Sequence, residues 1–439
     1  MKWLPTRVYG DSVEDEADPC EMDHSGAPRI GFARSTSEAA EFLGVAEEGE
    51  ILNQLSIVML THEYAPFPGG EATYATGIVA GLRSLGCDVM VVAPDYSGDD
   101  LGAIGAELSD PRVIRLLYHQ KIDLWRTWAF VRRYFLSSRS ALFVAGEIRA
   151  GLIFSVLSLV FPIRFLVMFH GSELAKAQNR RLFRCAAAFV ASRAAGLCTN
   201  SQATLGLLRS IRNGPEIGHN SRVVSLGLDR YWLSEPSDET PTDRWLELAE
   251  LEDVGPDDAI VVTVGRIEPR KGQLKGIEIV EQAQKCVDRR IVYLIVGKAI
   301  DPAYHEVVQE RARASSVDVR LAGVVSRDRL RALYLVSDAL LLPGQTIEGK
   351  FEGFGLVFTE AASQGCPSIG SRIGGVEDAV SDGRSGFLFD EADQDAFAQQ
   401  LAALLEDRTL RAQLRTTCVE HARQYTWEAC ARRTLDIVT

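Results

Sequence analysis

From residue 55 onward the chain alternates between short apolar runs and stretches with helical spacing. The run Leu55-Ser56-Ile57-Val58-Met59-Leu60 ends in the loop Ala65-Pro66-Phe67-Pro68-Gly69-Gly70, which reads as a buried strand leading into a Pro/Gly turn. Tyr74, Ile78, Leu82 and Leu85 then share one helical face closed by Gly86, and the next apolar run is Val89-Met90-Val91-Val92. Further strand-like runs fall at 113–117, 141–145, 164–169 and 196–199. Uninterrupted apolar strands with helices between them predict a parallel sheet covered on both faces. A second series runs through 259–265, 291–296, 319–321, 339–342, 367–369 and 387–389. Between the two series, 231–258 is rich in acids, Pro and Trp and has no strand signal.

The expected fold is therefore α/β, with two Rossmann-like, doubly wound parallel-sheet domains and a cleft between them. The first spans 51–228 and the second 229–424. A last helical stretch, 425–439, is expected to pack back toward the first domain. The most apolar stretch, 151–169, is broken by Pro162 and Arg164, too short on either side for the ~20 residues of a spanning helix; it reads as a buried helix and a buried strand.

Composition narrows the picture. At 439 residues the chain exceeds what one hydrophobic core supports, and 46% apolar with 24% charged residues is a globular profile. The net charge of −13 argues against a nucleic-acid partner, which requires clustered Lys and Arg. Much of that charge is local: residues 1–50 carry twelve acidic and four basic side chains and read as an accessory extension with a short helical hint near 37–43. The N-terminus lacks the basic-then-apolar pattern of a secretion signal, so a cytoplasmic protein is expected. The eight cysteines show no zinc spacing and read as buried reduced thiols.

In parallel α/β sheets ligands collect at the carboxyl ends of strands, beside helix N-termini that favour anions. Four post-strand loops stand out. Gly265-Arg266-Ile267-Glu268-Pro269-Arg270-Lys271-Gly272 places Arg266 and Lys271 where a diphosphate would sit. Glu352-Gly353-Phe354-Gly355-Leu356-Val357-Phe358-Thr359-Glu360 offers free amides at a helix start. If that helix begins at Phe354, Glu360 lies ~10 Å beyond Glu352, so the two acids touch opposite ends of one elongated ligand. A hydrolase pair would instead flank one bond at ~5–9 Å. The loop ending in Gly69-Gly70 is a weaker phosphate approach, and Phe169-His170-Gly171 ends a strand with His170 toward the cleft.

Pro68-Gly69-Gly70, His170-Gly171, Arg266 with Lys271, and the Glu352-x7-Glu360 segment, in this order, resemble the family 4 retaining glycosyltransferases of GT-B fold over roughly residues 55–438. The resemblance implies that Arg266 and Lys271 bind the donor diphosphate and stabilise the departing nucleotide. It implies that Glu352 and the amides of Phe354, Gly355 and Leu356 hold the transferred sugar, with His170 beside it. Glu360 would take the ribose hydroxyls, Gly69 and Gly70 would lie against the phosphates, and Gly297, Val324 and Val325 would hold the base. It further implies retention of configuration with neither metal nor cofactor. The acidic extension departs from the family pattern, and Glu348-Gly349 is a decoy, since only Glu352 has a glutamate eight positions on.

The segment 125–135 mixes aromatic and basic residues at helical spacing. It reads either as a packed amphipathic helix with a solvated Arg face or as an interfacial helix resting on anionic lipid. The expected activity is transfer of a hexose-type sugar from a GDP- or UDP-sugar to a glycan or lipid-linked acceptor in cell-surface polysaccharide synthesis, with peripheral contact at the inner face of the plasma membrane. The alternatives are a synthase acting on a small soluble acceptor or sugar phosphate, and an inactive binding scaffold.

Overall fold

Thirteen strands build two all-parallel sheets in the computed structural model, which describes residues 55–96, 110–118, 124–137, 141–212, 220–234 and 242–438. The first sheet comprises β1 (Ser56–Leu60), β2 (Asp88–Asp95), β3 (Val113–Tyr118), β4 (Leu142–Ala145), β5 (Arg164–Phe169), β6 (Gly196–Thr199) and β7 (Ser221–Val223), in the order β3-β2-β1-β4-β5-β6-β7. The second comprises β8 (Ala259–Val264), β9 (Ile291–Val296), β10 (Asp318–Gly323), β11 (Ala339–Leu342), β12 (Ser368–Ser371) and β13 (Gly386–Phe389), in the order β10-β9-β8-β11-β12-β13. Both are doubly wound. The extension at 1–50, the helical hint within it and Cys20 lie outside the described residues.

The expected strands are present, and the strand that periodicity missed, β7, explains why: its three residues, Ser221-Arg222-Val223, are none of them fully buried, so no apolar run marks it. Elsewhere both strand faces are buried. Ile57 and Met59 point into one core and Val58 and Leu60 into another, which erases polar alternation. The core containing Ile57 continues through Tyr74 and Trp427 to Val262 and Tyr334. One apolar interior thus runs beneath both sheets, and all described residues belong to a single compact unit, Glu48–Thr439.

The chain crosses between the sheets twice. Leu228 donates its amide to the Tyr425 carbonyl (2.9 Å), and helix Trp427–Leu435 lies against helix Gly70–Ser84. The close approach needs Gly77 and Gly81: a Cβ at either would come 1.9 Å from the Trp427 ring and 2.1 Å from its carbonyl. Removing the buried Trp427 side chain would cost ~3–5 kcal/mol.

Of the seven cysteines outside the extension, Cys87, Cys198, Cys366, Cys418 and Cys430 are buried, but Cys185 and Cys286 are exposed. The expectation of buried thiols fails for those two because Cys185 takes the solvent-facing side of helix Arg181–Arg193, although it opens the apolar run 185–191, and Cys286 lies in the turn after helix Gln273–Gln284.

Candidate active site

Each sheet reverses its strand order once, between β1 and β4 and between β8 and β11. At such a reversal the flanking helices leave on opposite faces, and their N-termini open a crevice at the strand ends. The loops after β8 and β11 are those that carry Arg266, Lys271 and Glu352, and the loops after β1 and β4 carry His62, Glu63 and Glu147.

At the second sheet, Pro269–Lys271 forms one tight 3-10 turn that swings Lys271 inward. Lys271 Nζ lies 2.6 Å from Glu352 Oε2, and Arg270 Nη1 donates to the same oxygen. Glu268 extends the network. Its Oε1 receives Arg266 Nη2 and Arg270 Nη2, both at 3.2 Å, and its Oε2 receives Lys350 Nζ at 2.9 Å. Burial alone would push the Glu352 carboxyl up, but Lys271 and Arg270 outweigh it and hold the group down to about 2. Burial lowers the Lys271 ammonium, with Glu352 opposing. Four cations meet two carboxylates here, a net charge of two positive among these six side chains.

Helix Leu356–Ser363 starts at Leu356, with Gly355 as its N-cap at φ +87°. The helix therefore opens two residues later than the Phe354 start considered from sequence, because Gly355 takes the left-handed conformation that ends the extended loop. Glu360 sits in its second turn. Burial raises its carboxyl to about 7, with Arg327 opposing and Asp229 reinforcing.

At the first sheet, Glu147 caps helix Ile148–Leu157 by accepting from the Ala150 amide and ties β4 to β1. It lies 2.7 Å from His62 Nδ1 and accepts from Thr61 Oγ1 at 3.0 Å. Burial would raise Glu147; the His62 and Thr61 bonds prevail and lower it. Burial raises Glu63, with Glu147 adding to it and Arg149, His170 and Arg266 opposing. Glu71 is raised to about 7 by burial, with Glu173, Glu147 and Glu63 adding to it against His170. Since Arg266 acts on Glu63, the two loop clusters face one another.

His170 is more enclosed than expected. It is 7% exposed, its Nε2 donates to the Gly146 carbonyl (2.8 Å), and its ring meets Tyr74 edge-on at 5.0 Å. Its strand end is reached by the opposite loop instead. A Cβ on Gly353 would lie 2.1 Å from the His170 carbonyl, and one on Gly171 (φ +98°) 2.4 Å from the Phe351 ring. The decoy Glu348 accepts from Asn179 Nδ2 at 2.9 Å, so the long loop before Glu352 seats on the first half of the molecule.

The other predicted residues fall around this centre. Gly69 and Gly70 are exposed at the start of helix Gly70–Ser84. Gly297 follows β9 and packs on the Gly265 carbonyl. Beyond β10, Val324 is 72% exposed, whereas Val325 is half-buried and packs against the core. Arg266 and Lys271 differ in burial and partner: Lys271 is buried on Glu352, while the Arg266 side chain is 60% exposed and reaches Glu268. Sequence reasoning missed Arg270, Glu268 and Lys350, although the alternating charge of Arg266-Ile267-Glu268-Pro269-Arg270-Lys271 hinted at internal pairing. Among the described residues, no group of His, Cys, Asp or Glu is arranged to hold a metal ion.

Residues 69–226 match the family model described as glycosyl transferase 4-like domain, and residues 249–425 the one described as glycosyl transferases group 1. A D-inositol 3-phosphate glycosyltransferase of Corynebacterium efficiens is 34% identical over 176 residues, which span 39% of this chain and 40% of that enzyme; the match covers less than half the length of the relative. Among solved structures, Anabaena Alr3699/HepE in complex with UDP and glucose superposes with a TM-score of 0.68 at 18% identity, covering 87% of this chain and 99% of that one. Sucrose-phosphate synthase of Thermosynechococcus elongatus superposes with a TM-score of 0.70 at 20% identity, covering 87% and 98%.

Proposed function

This chain belongs to the family 4 glycosyltransferases of GT-B fold, and from that premise we propose that it transfers a hexose-type sugar from a GDP- or UDP-sugar to a glycan or lipid-linked acceptor. The reaction retains anomeric configuration, needs no metal ion, and serves cell-surface polysaccharide synthesis from the cytoplasmic side. The observation that carries this reading is the surplus of two positive charges among Arg266, Arg270, Lys271, Lys350, Glu268 and Glu352 at the strand reversal of the second sheet.

A nucleoside diphosphate brings roughly two negative charges to that surplus. Arg266, exposed at the rim, meets the phosphates first. Lys271 and Arg270, already desolvated, stabilise the charge that grows on the leaving diphosphate, and such fixed charges need no reorganisation during the reaction. Glu352 remains ionised at neutral pH, so it accepts hydrogen bonds from sugar hydroxyls and donates no proton. The bond from the anomeric carbon to the phosphate oxygen breaks, the acceptor oxygen bonds to that carbon on the same face, and the acceptor proton passes to the phosphate oxygen. Glu360 takes the ribose hydroxyls. Gly69 and Gly70 approach the phosphates from the first half, His170 lies beside the sugar, and Val324, Val325 and Gly297 border the base.

The acceptor side differs from that of an enzyme handling a phosphorylated acceptor. Glu63, Glu71, Glu147 and Glu173 crowd around His170, which disfavours a second phosphate and suits a neutral polyhydroxyl. The inositol phosphate acceptor in the name of the relative supports the opposite reading, a small phosphorylated acceptor, and one experiment separates the two. Calorimetric titration with UDP, GDP and ADP should show one of them binding, weakened at least about tenfold in Lys271→Ala. Transfer assays with that sugar donor should then favour neutral glycans over inositol or hexose phosphates. Binding of none of the three nucleotides overturns the donor assignment, and preference for the phosphorylated acceptors overturns the acceptor assignment.

A further inference from the structure

The first sheet is covered on one face by helices Leu124–Ser137, Ile148–Leu157 and Arg181–Arg193, packed side by side over the core of Phe143, Phe154 and Phe165. Two features set this layer apart. From Leu124 to Arg212 the sequence holds thirteen Arg and Lys but only two acids, Glu147 and Glu173, in a chain whose net charge is −13. Both acids point into the site just described. Further, of the eight exposed large apolar side chains among the described residues, five lie here: Trp125 (75% exposed), Val156 (44%), Leu159 (64%), Val160 (72%) and Leu182 (80%).

We propose that this layer is a docking face for an anionic lipid bilayer. Charge selects the occupant. Screening limits electrostatic reach to ~10 Å at ordinary ionic strength, so a bilayer laid on these helices feels their local excess of Arg and not the distant acids of the chain. A second copy of the chain presenting the same face would meet like charge. The interfacial region of a bilayer takes Arg and aliphatic or aromatic side chains together, which fits the exposed Leu159, Val160 and Leu182 beside the basic residues of this layer. The aromatic–basic contacts have the same mixed character: Trp125 stacks on Trp128 with centroids 5.3 Å apart, and the Arg132 guanidinium lies 5.6 Å from the Trp128 ring.

The face also has a direction. Each helix returns from the carboxyl end of its strand, so Trp125, Arg149 and Leu182 lie at the end nearest the active-site loops. Val156, Leu159, Val160 and Arg193 lie at the far end. A bilayer along this layer therefore runs beside the mouth of the site, where a lipid-linked acceptor would present its headgroup. That consequence rests on the proposed transfer; docking itself does not.

Co-sedimentation of the full chain with sucrose-loaded vesicles tests the face. Binding is expected to vesicles containing about one-third phosphatidylglycerol and not to pure phosphatidylcholine, and to weaken several-fold between 0.05 and 0.5 M salt, as exposed charge pairs are screened. Arg181→Glu with Arg184→Glu should reduce partition by about tenfold or more, and Leu159→Ser with Val160→Ser should reduce it further where salt has already removed the charge contribution. Nucleotide binding by calorimetry should stay at the wild-type value in both variants, which separates loss of the face from loss of fold. No preference for anionic vesicles, equal partition of wild type and variants, or concentration-dependent dimerisation abolished by Arg181→Glu overturns the proposal. Failure of nucleotide binding with vesicle binding intact would instead sink the proposed transfer alone.

Discussion

The two strand reversals are alike in topology and opposite in electrostatics. At the second sheet, Lys271 and Arg270 converge on Glu352, and positive charge is in surplus. At the first, Glu63, Glu71, Glu147 and Glu173 gather around His170, and Glu63 and Glu71 are raised by burial rather than lowered. A doubly wound sheet supplies only the crevice and its helix N-termini; the loop residues decide which ligand each crevice accepts. One fold, used twice, thus yields one end with surplus positive charge and another lined by carboxyls, the contrast on which the proposed donor and acceptor sides rest.

The largest test of that contrast is Glu352→Ala or Lys271→Ala. Either should lower the transfer rate by roughly 100- to 1,000-fold, measured as kcat with saturating donor. Were these side chains solvated, the variants would melt like wild type. The buried network predicts otherwise: removing one partner of a buried ion pair costs ~3–5 kcal/mol, so Glu352→Ala should lower Tm by several degrees. An unchanged melt would mean that the pair is solvated rather than buried.

The seam between the two ends comes next. Gly171→Ala places a side chain at φ +98° and against Phe351, and should cost on the order of 2–3 kcal/mol in urea unfolding. Adding Phe351→Ala should recover the closest overlap and leave the backbone strain together with the 2.9 Å approach to Thr204 Oγ1. Equal losses in the single and double variants would show that Phe351 does not seat there.

The pH response then separates the acids. Glu360 is raised to about 7; in the proposed ribose contact its carboxylate is the stronger acceptor, so nucleotide affinity should strengthen by up to about tenfold from pH 6 to pH 8. Glu360→Gln should flatten that profile; a profile unchanged by the substitution would assign the titration elsewhere. The smallest effect is on stability. Glu71, also raised to about 7, contributes stability that is complete below its unfolded pKa of about 4.5 and is lost as pH rises through 7. Glu352, lowered to about 2, contributes stability present above about 4.5 and lost as pH falls through 2. Glu71→Gln should therefore flatten the decline in Tm between pH 4.5 and 7 and leave the acid limb in place.

Much of this architecture was legible in the chain. Continuous apolar runs such as 259–264 identified buried parallel strands, and Pro, Gly and charged residues after them marked loops that the structure brings to the strand reversals. The strand β7 was not legible, because its pairing with β6 rather than any apolar pattern makes it a strand. Arg266 and Lys271 were found as a pair of cations, yet their division of labour was not: burial depends on which way the turn Pro269–Lys271 rotates, and that is set by its contact with the loop after β11.

By itself, the sequence determined the two series of strands, the glycines that allow close approach and the residues carrying charge at the strand ends, since periodicity and local backbone preference act over a few neighbours. Tertiary structure alone decided that Glu352 meets Arg270 and Lys271 across some eighty residues, that His170 gives its Nε2 proton to Gly146, and that exposed Trp, Leu and Val side chains from separate segments lie on one side of the first sheet. Those pairings join residues far apart in the chain, and their energies depend on shared burial and on the summed field of neighbours, quantities that exist only once the sheets have packed.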